Sequence, residues 1–211
     1  WIVSDEILDL DTSLPLVREF DALRSGVSLR LTAEVLGGTW EALGDGRADL
    51  VIGATNAPPA MSKLHWEALG VMEWVFAVSP RHPLAKEREP LSSEAIAAHR
   101  AVVVADTSRR TGERSYGLQS GQNVLAVPSM HAKAMAQCGG LGVGWLPLQR
   151  VARLLQDGQL IVKRTADQRE PNTLYVAWRG DRPGRGLSWW LEKLKQPKLA
   201  RRLVQGLPYA C

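Results

Sequence analysis

The first part of the chain alternates between strand-like and helix-like segments, and this order constrains the fold more than any other feature. Residues 1–3 form a short apolar run that predicts a buried strand, and a helix start follows at Ser13, where a hydroxyl precedes a proline. Residues 27–36 alternate as a half-buried strand does, and Thr39 is placed to cap a short helix. Residues 50–52 form a third strand. Strand, helix, strand, helix, strand within about 54 residues predicts a parallel sheet covered by helices.

A second block repeats this alternation. Its predicted elements are strands at residues 101–105, 124–127 and 142–146 and a helix at Met130–Cys138. Two long strand-like stretches, residues 69–78 and 174–178, lie outside the two blocks. We therefore expect an α/β protein with two lobes, joined by two crossing strands and separated by a cleft. Lobe I is expected to take residues 1–77 and 178–211, and lobe II residues 78–177.

Composition and charge agree with such a protein. The chain has 211 residues, of which 45% are hydrophobic, and this is typical of a soluble globular protein with one large domain or two small lobes. The apolar runs are far shorter than the roughly 20 residues that cross a bilayer. From Lys163 onwards the net charge is +7, but apolar residues interrupt the basic ones as in an amphipathic helix. We therefore prefer a solvated basic face to direct contact with DNA.

The ends of the chain and its cysteines bear on localisation. The first residue is Trp1 instead of methionine, so we expect a further segment before it. No basic region and apolar stretch of a signal peptide is visible at the start of the sequence. Cys138 and Cys211 are expected to be two free thiols in a reducing compartment. The sequence therefore predicts a cytoplasmic protein with no membrane contact.

The sequence offers little for catalysis. The four histidines show no metal-binding spacing, and no serine lies between glycines as in a nucleophile elbow. The glycine-rich stretch at residues 139–144 precedes a strand, whereas a dinucleotide-binding loop follows one. We interpret it as a helix end followed by a strand packed closely against a neighbour. We therefore expect no enzyme activity, no cofactor and no metal.

Polar residues follow several of the predicted strands. Ser4, Asp5 and Glu6 follow the first strand. Asp106 and Thr107 follow the strand at 101–105, where they are predicted to start a helix, and Thr39 and Ser129 precede helices after other strands. In open α/β sheets ligands bind at the carboxyl ends of strands, where helix N-termini offer free amides. These residues could clamp a small polar molecule, or each hydroxyl could simply cap its own helix. The acidic residues would repel a carboxylate and suit a ligand with hydroxyl or amino donors.

Four segments, taken in order, resemble the effector-binding domain of LysR-type transcriptional regulators. Residues 43–53 (LGDGRADLVIG) are similar to a family pattern of Gly and Asp before an apolar strand. Residues 76–85 (FAVSPRHPLA) resemble the crossing strand and its loop, and residues 140–147 (GLGVGWLP) resemble a glycine-rich strand that ends in proline. Residues 157–160 (DGQL) are similar to a further short turn. The resemblance extends over nearly the whole chain.

The resemblance implies a fold like that of type II periplasmic binding proteins, with two Rossmann-like lobes and a small-molecule effector in the cleft between them. It also implies a homodimer or tetramer, in which the helix near residues 14–23 packs on helix Met130–Cys138, and DNA binding through a helix-turn-helix domain before Trp1. The effector contacts that it implies are Ser4, Asp5, Thr39, Trp40, Asp106, Thr107 and Ser129.

Two other functions remain open at this point. A secreted solute-binding receptor of a transporter would have the same two-lobed fold, and a lyase could use the same cleft. The receptor would need a signal peptide before Trp1, whereas the lyase would need a paired acid and base that the sequence does not reveal.

Overall fold

The computed structural model describes residues 1–55, 63–109 and 121–206. The chain divides into two compact units, each described here by itself. Unit 1 comprises Trp1–Met72, Asp106–Gly112 and Asn172–Cys211, and unit 2 comprises Glu73–Ala105 and Glu113–Pro171. The short piece Asp106–Gly112 joins unit 1, whereas the expected lobe bounds placed it with lobe II. The lobe bounds themselves stay a prediction.

The secondary structure alternates as the sequence indicates. The strands are β1 (Ile2–Asp5), β2 (Leu31–Glu34), β3 (Leu50–Ala54), β4 (Leu64–Met72), β5 (Trp74–Val78), β6 (Ala101–Val104), β7 (Val124–Val127), β8 (Gly144–Pro147), β9 (Ile161–Val162) and β10 (Asn172–Arg179). The helices are α1 (Leu14–Ala22), α2 (Gly37–Gly44), α3 (Ser93–Ala97), α4 (Met130–Cys138), α5 (Leu148–Gln156), α6 (Arg185–Leu194) and α7 (Pro197–Gln205). Short 3-10 turns lie at Leu10–Ser13 and Pro83–Ala85.

Unit 1 is built on one five-stranded sheet with the order β2-β1-β3-β10-β4. The first three strands are parallel, as predicted, and β10 runs antiparallel to β3 and β4. Asp5 pairs in register with Glu34, so β1 and β2 end at the same edge. This edge, where the parallel strands have their carboxyl ends, is called the carboxyl edge below, and the opposite edge the amino edge.

Helices cover the sheet of unit 1 because each has an apolar side to bury. Trp40 and Leu43 of α2 pack against Val3 and Val51 of the sheet, and all four are nearly inaccessible. Helix α7 lies over β4, where the absence of a side chain at Gly70 admits Val204. A Cβ atom at Gly70 would come within 2.8 Å of the Val204 methyl group.

Unit 2 contains the antiparallel sheet β8-β5-β9 and the parallel pair β6-β7. A single parallel bridge between Ala101 and Val143 links the two sets. The bridge needs Gly142, because a Cβ atom there would lie 2.6 Å from the carbonyl oxygen of Arg100. The interpretation of the glycine-rich stretch as a helix end followed by a closely packed strand is confirmed, although β8 begins only at Gly144.

Three expectations about local structure are wrong. Residues 69–78 form two strands instead of one, since β4 ends at Met72 and β5 begins at Trp74. The break lies at Glu73, where the chain passes from unit 1 to unit 2 and the Glu73 carbonyl accepts a hydrogen bond from Leu148. Residues 106–109 start no helix. The third wrong expectation is that Thr39 caps α2, and its physical reason lies in the candidate site.

The sequence also made predictions about the cysteines and the basic C-terminal segment. Cys138 is a free thiol, as expected, and Cys211 lies outside the described residues. The basic C-terminal segment forms α6 and α7, and α6 buries Trp190, Leu191 and Leu194 while its basic residues stay more exposed. Within the described ranges, no helix combines the length and apolar character needed to cross a membrane.

Candidate functional site

The carboxyl group of Asp5 lies at the carboxyl edge of unit 1, on the last residue of β1. Its Oδ1 atom accepts a hydrogen bond of 3.0 Å from the amide of Ile7, because the chain turns sharply after the strand. Its Oδ2 atom is buried and has no hydrogen bond of normal geometry within the described residues. A carboxyl oxygen that is shielded from water and unsatisfied is costly, and a ligand group that reached it would remove this cost.

The surroundings of Asp5 determine its protonation. The pKa of Asp5 is raised from 3.8 to about 8, mainly by burial and in smaller part by the charges of Glu6 and Asp106. The amides of Ile7 and Leu36 act in the opposite direction. Near neutral pH the carboxyl group is therefore mostly protonated and can donate one hydrogen bond.

The start of α2 faces this carboxyl group. Leu36 precedes the helix with φ 52° and ψ −115°, in a backbone region that a leucine rarely adopts. Such strain concentrates at functional sites and must be held by the surrounding structure. Thr39 does not cap the helix as predicted, because α2 begins two residues earlier and the Thr39 hydroxyl donates to the carbonyl of Leu36.

Thr107 fastens the segment 106–109 to the start of α2. Its Oγ1 atom accepts a hydrogen bond of 2.8 Å from the amide of Val35 and donates one of 3.2 Å to the Val35 carbonyl. Next to it, Asp106 accepts a hydrogen bond of 2.8 Å from the amide of Ser108 and so closes a tight turn. The side-chain carboxylate of Glu41 on α2 accepts another hydrogen bond from the amide of Arg109. These bonds hold Asp106 close enough to Asp5 to raise its pKa.

The structure brings some of the expected site residues together and gives others a different role. Asp5, Asp106 and Thr107 meet at the carboxyl edge of unit 1. The indole of Trp40 instead belongs to the core, where Nε1 donates to the carbonyl of Thr55 at 3.0 Å. The hydroxyl of Ser4 donates to its own strand at the Asp5 carbonyl.

Ser129 lies in unit 2 and caps α4, as predicted, by accepting a hydrogen bond from the amide of Ala132. Its place in an effector site stays a prediction. The ligand contacts expected for Ser4, Thr39 and Trp40 also stay predictions.

Sequence reasoning missed two features of this site. Glu34, at the end of β2, forms an ion pair of 2.8 Å with Arg47 and lies beside Gly38. The sequence held a signal for the ion pair of Glu34 with Arg47, because Arg47 belongs to the segment at residues 43–53 that resembles the LysR family. The conformation of Leu36 had no signal in the sequence, since glycine or asparagine is the residue usually found at such a position.

Unit 2 holds a second pair of buried polar side chains. Lys133 and Gln137 lie one turn apart on α4, with exposed fractions of 5% and 0%. The pKa of Lys133 is lowered from 10.5 to about 7, mainly by burial and in smaller part by the charge of Arg169. Neither polar atom of the Gln137 amide has a hydrogen-bond partner in the described part of the chain. A Cβ atom at Gly144 would lie 3.1 Å from Gln137 Nε2, so this glycine leaves space beside the pair.

The described side chains do not form a metal centre: no three His, Cys, Asp or Glu residues among them cluster as metal ligands would. The arrangement at Asp5 instead suits a polar ligand. It brings together the neutral carboxyl group of Asp5, the acidic side chain of Asp106 and backbone amides, which are groups that hydrogen-bond a small polar molecule.

Comparison with known proteins identifies the family of the chain. The LysR substrate binding domain family matches residues 2–197. The chain is 35% identical over 203 residues to the HTH-type transcriptional regulator YeeY of Escherichia coli, which is itself uncharacterised; the match covers 96% of this chain and 64% of YeeY. It is 32% identical to the probable regulator YhaJ of the same organism, over 94% of this chain and 65% of YhaJ. The chain therefore spans less than two thirds of the length of these relatives.

Solved structures show the same fold. The regulatory domain of MetR from Neisseria meningitidis superposes with a TM-score of 0.67 at 17% identity, over 95% of this chain and 91% of that one. Full-length LysG from Corynebacterium glutamicum with bound effector Arg gives a TM-score of 0.65 at 22% identity, over 94% of this chain and 67% of that one. The effector-binding domain of QuiR in complex with shikimate gives a TM-score of 0.62 at 16% identity, over 99% of this chain and 97% of that one.

The neighbours have the mixed α/β fold of two lobes that the sequence predicted, and the relatives are regulators instead of transport receptors. The comparisons offer no support for the secreted receptor. The chain belongs to the LysR substrate-binding domains, the effector-sensing part of LysR-type transcriptional regulators.

Proposed function

We propose that the domain senses a small neutral or cationic molecule with hydroxyl or amino donors, bound at the carboxyl edge of unit 1. The observation that carries this proposal is the buried carboxyl group of Asp5, whose Oδ2 atom has no hydrogen bond of normal geometry among the described residues. A hydrogen bond from a ligand hydroxyl or amine to that buried oxygen would contribute more binding free energy than a hydrogen bond to an oxygen exposed to water.

The charges around Asp5 favour this class of ligand. Asp106 is held close to Asp5 by the bonds of the segment 106–109, and Glu6 follows directly in the chain. A ligand carboxylate at this point would face two negative charges and would have to be stripped of water. A cationic or neutral donor is attracted by the same charges.

For the whole protein, we extend the proposal to a cytoplasmic regulator that is a homodimer or a tetramer. DNA binding would belong to a segment outside this chain, since the chain spans only 64% of the length of YeeY. Effector binding would shift the population of conformations in the domain and so alter how the protein meets DNA. The domain would bind its ligand without turnover, which recovery of unchanged ligand after prolonged incubation would verify.

Two matched pairs of compounds test the ligand class. Arginine and agmatine differ by one carboxylate, as do shikimate and its methyl ester. Calorimetric titration of the 211-residue chain should show that the member without the carboxylate binds at least about tenfold more tightly in at least one pair. Asp106→Asn should reduce this preference, whereas Asp21→Asn, an exposed carboxylate on α1, should leave it unchanged.

Two results would contradict the proposal. One is that the carboxylate form of both pairs binds as tightly as its neutral or decarboxylated partner. The other is that none of the four compounds binds below about 10 mM, which corresponds to negligible affinity.

A further inference from the structure

A cavity lies in unit 1 at the amino edge of the sheet, away from the residues around Asp5. It has a volume of about 330 Å³, within the range of small-molecule sites. Ile2 and Leu50, the first residues of β1 and β3, line it together with Arg179, the last residue of the antiparallel strand β10. Ile2 and Asp5 are the two ends of β1, so the cavity is separated from the carboxyl edge by roughly 10 Å of strand.

The wall of the cavity is apolar and aromatic. Phe20 and Trp190 are almost fully buried and have their ring centroids 6.1 Å apart. Leu187 of α6 and Leu29 before β2 extend this apolar wall. Trp1, which is 52% exposed, also lines the cavity, and its accessible ring favours a planar ligand because aromatic faces and edges then pack against each other.

Two arginines at the same cavity have no ion-pair partner in the part of the chain that the structure describes. Neither Arg179 nor Arg182 forms an ion pair with any residue that the structure describes. The Arg179 guanidinium packs over Gly46, where a Cβ atom would lie 2.5 Å from its Nη1 atom. Asp49 is the one acidic residue among the described lining residues, against the two arginines. The summed formal charge of these side chains is therefore positive.

We propose that this cavity is a second binding site, which takes a small planar carboxylate. The ring of the ligand lies against Trp1 and Leu187, and its carboxylate accepts hydrogen bonds from Arg179 and Arg182. Guanidinium groups suit this role because they bind a carboxylate with two parallel hydrogen bonds. The site has the opposite charge preference from the carboxyl edge, where acidic residues exclude the same ligand.

Three compounds of one shape test the proposal: benzoate, benzamide and benzamidine, which are anionic, neutral and cationic. Titration of the 211-residue chain, followed by NMR and by tryptophan fluorescence, should show benzoate binding at least about tenfold more tightly than the other two. The preference should weaken as salt is added, because the arginines are exposed at the rim.

Matched variants test whether Arg179 and Arg182 bind benzoate. Arg179→Gln and Arg182→Gln should each weaken benzoate binding at least about fivefold while leaving the folded spectrum unchanged, since both side chains are exposed. Arg185→Gln is the control, because Arg185 is an exposed arginine on the same segment that does not line the cavity. Asp106→Asn should leave benzoate binding unchanged, which separates this site from the one at the carboxyl edge.

Equal binding of benzoate and benzamide would overturn the proposal. So would benzoate binding that survives in both Arg179→Gln and Arg182→Gln, or that falls equally in Arg185→Gln. Absence of benzoate binding below about 10 mM would also overturn it.

Discussion

Asp5 shows how position determines the chemistry of one side chain. An aspartate at the end of an exposed strand would be ionised, but burial and two neighbouring carboxylates hold this one protonated near neutral pH. The same proton gives the group a hydrogen-bond donor that an ordinary aspartate lacks. It also links the stability of the domain to pH, because the unfolded chain has no such environment.

Replacement of Asp5 by asparagine should reveal this link. Between pH 3.8 and about 8 the folded chain binds a proton at Asp5 that the unfolded chain has released, so stability falls as pH rises through this window. Asp5→Asn has nearly the same shape and does not ionise. Urea unfolding should show a variant that is more stable than the wild type by more than about 1 kcal/mol at the alkaline end, with little difference at the acidic end.

Asp21→Asn is the control for this measurement, because Asp21 is exposed on α1. Its curve of unfolding free energy against pH should follow that of the wild type. If the Asp5→Asn curve also runs parallel to the wild-type curve over the whole range, Asp5 has an ordinary pKa and its assigned role is wrong.

Residue by residue, the sequence predicted the candidate site only in part. Asp5, Asp106 and Thr107 could be found because polar residues directly after buried strands must meet at one edge of a parallel sheet. Thr39 and Trp40 follow the same rule by position, yet the one donates to Leu36 and the other to Thr55. Which polar group is used internally depends on where a helix begins to within one residue, and sequence patterns do not determine this.

At the scale of elements, the parallel strands and helices were predictable, and the junctions between them were not. Helix Met130–Cys138 and strand Val124–Val127 have the predicted bounds, because a capping serine and a glycine mark the helix and apolar residues the strand. Residues 69–78 were predicted as one strand because apolar residues predominate on both sides of Glu73. The break at Glu73 comes from the passage between two units, and no local pattern encodes that passage.

The junction of α2 with the segment 106–109 offers a test of element packing. Gly38 lies so close to Thr107 that an added Cβ atom would overlap the Thr107 Oγ1 atom and approach its backbone carbon to 3.1 Å. Gly38→Ala should therefore destabilise the domain by about 1–3 kcal/mol, because the segment must shift and its hydrogen bonds to Val35 are lost. Urea unfolding at neutral pH measures the change.

A double-mutant cycle assigns that loss to the junction. Thr107→Ala removes the atom that the new methyl group would overlap, so the double variant should be less destabilised than the sum of Gly38→Ala and Thr107→Ala. Gly184→Ala is the matched control, since no atom lies within 4 Å of a Cβ atom there. Additive effects at Gly38 and Thr107 would show that the two positions do not pack as described.

At the scale of the whole molecule, the two units carry buried ionisable groups of opposite sign. Asp5 in unit 1 is uncharged near neutral pH because burial raises its pKa, and Lys133 in unit 2 loses much of its charge because burial lowers its pKa. The first group makes stability fall with pH in the acidic to neutral range. The second makes stability rise with pH above neutrality, since the unfolded chain keeps the lysine proton up to a pH near 10.5. Together these two groups place a minimum in stability near neutral pH.

Lys133→Met isolates the second contribution. Methionine fills a similar volume without a charge, so the variant should exceed the wild type in unfolding free energy by more than about 1 kcal/mol at pH values near and below 7. This advantage should shrink as pH rises towards 10.5, because the native lysine is then uncharged and the unfolded lysine approaches the same state. Urea unfolding across this range provides the measurement, with Lys86→Met, an exposed lysine of the same unit, as the control. A gain that does not change with pH would show that Lys133→Met acts through packing alone, and the charge of Lys133 would then play no part in the stability of unit 2.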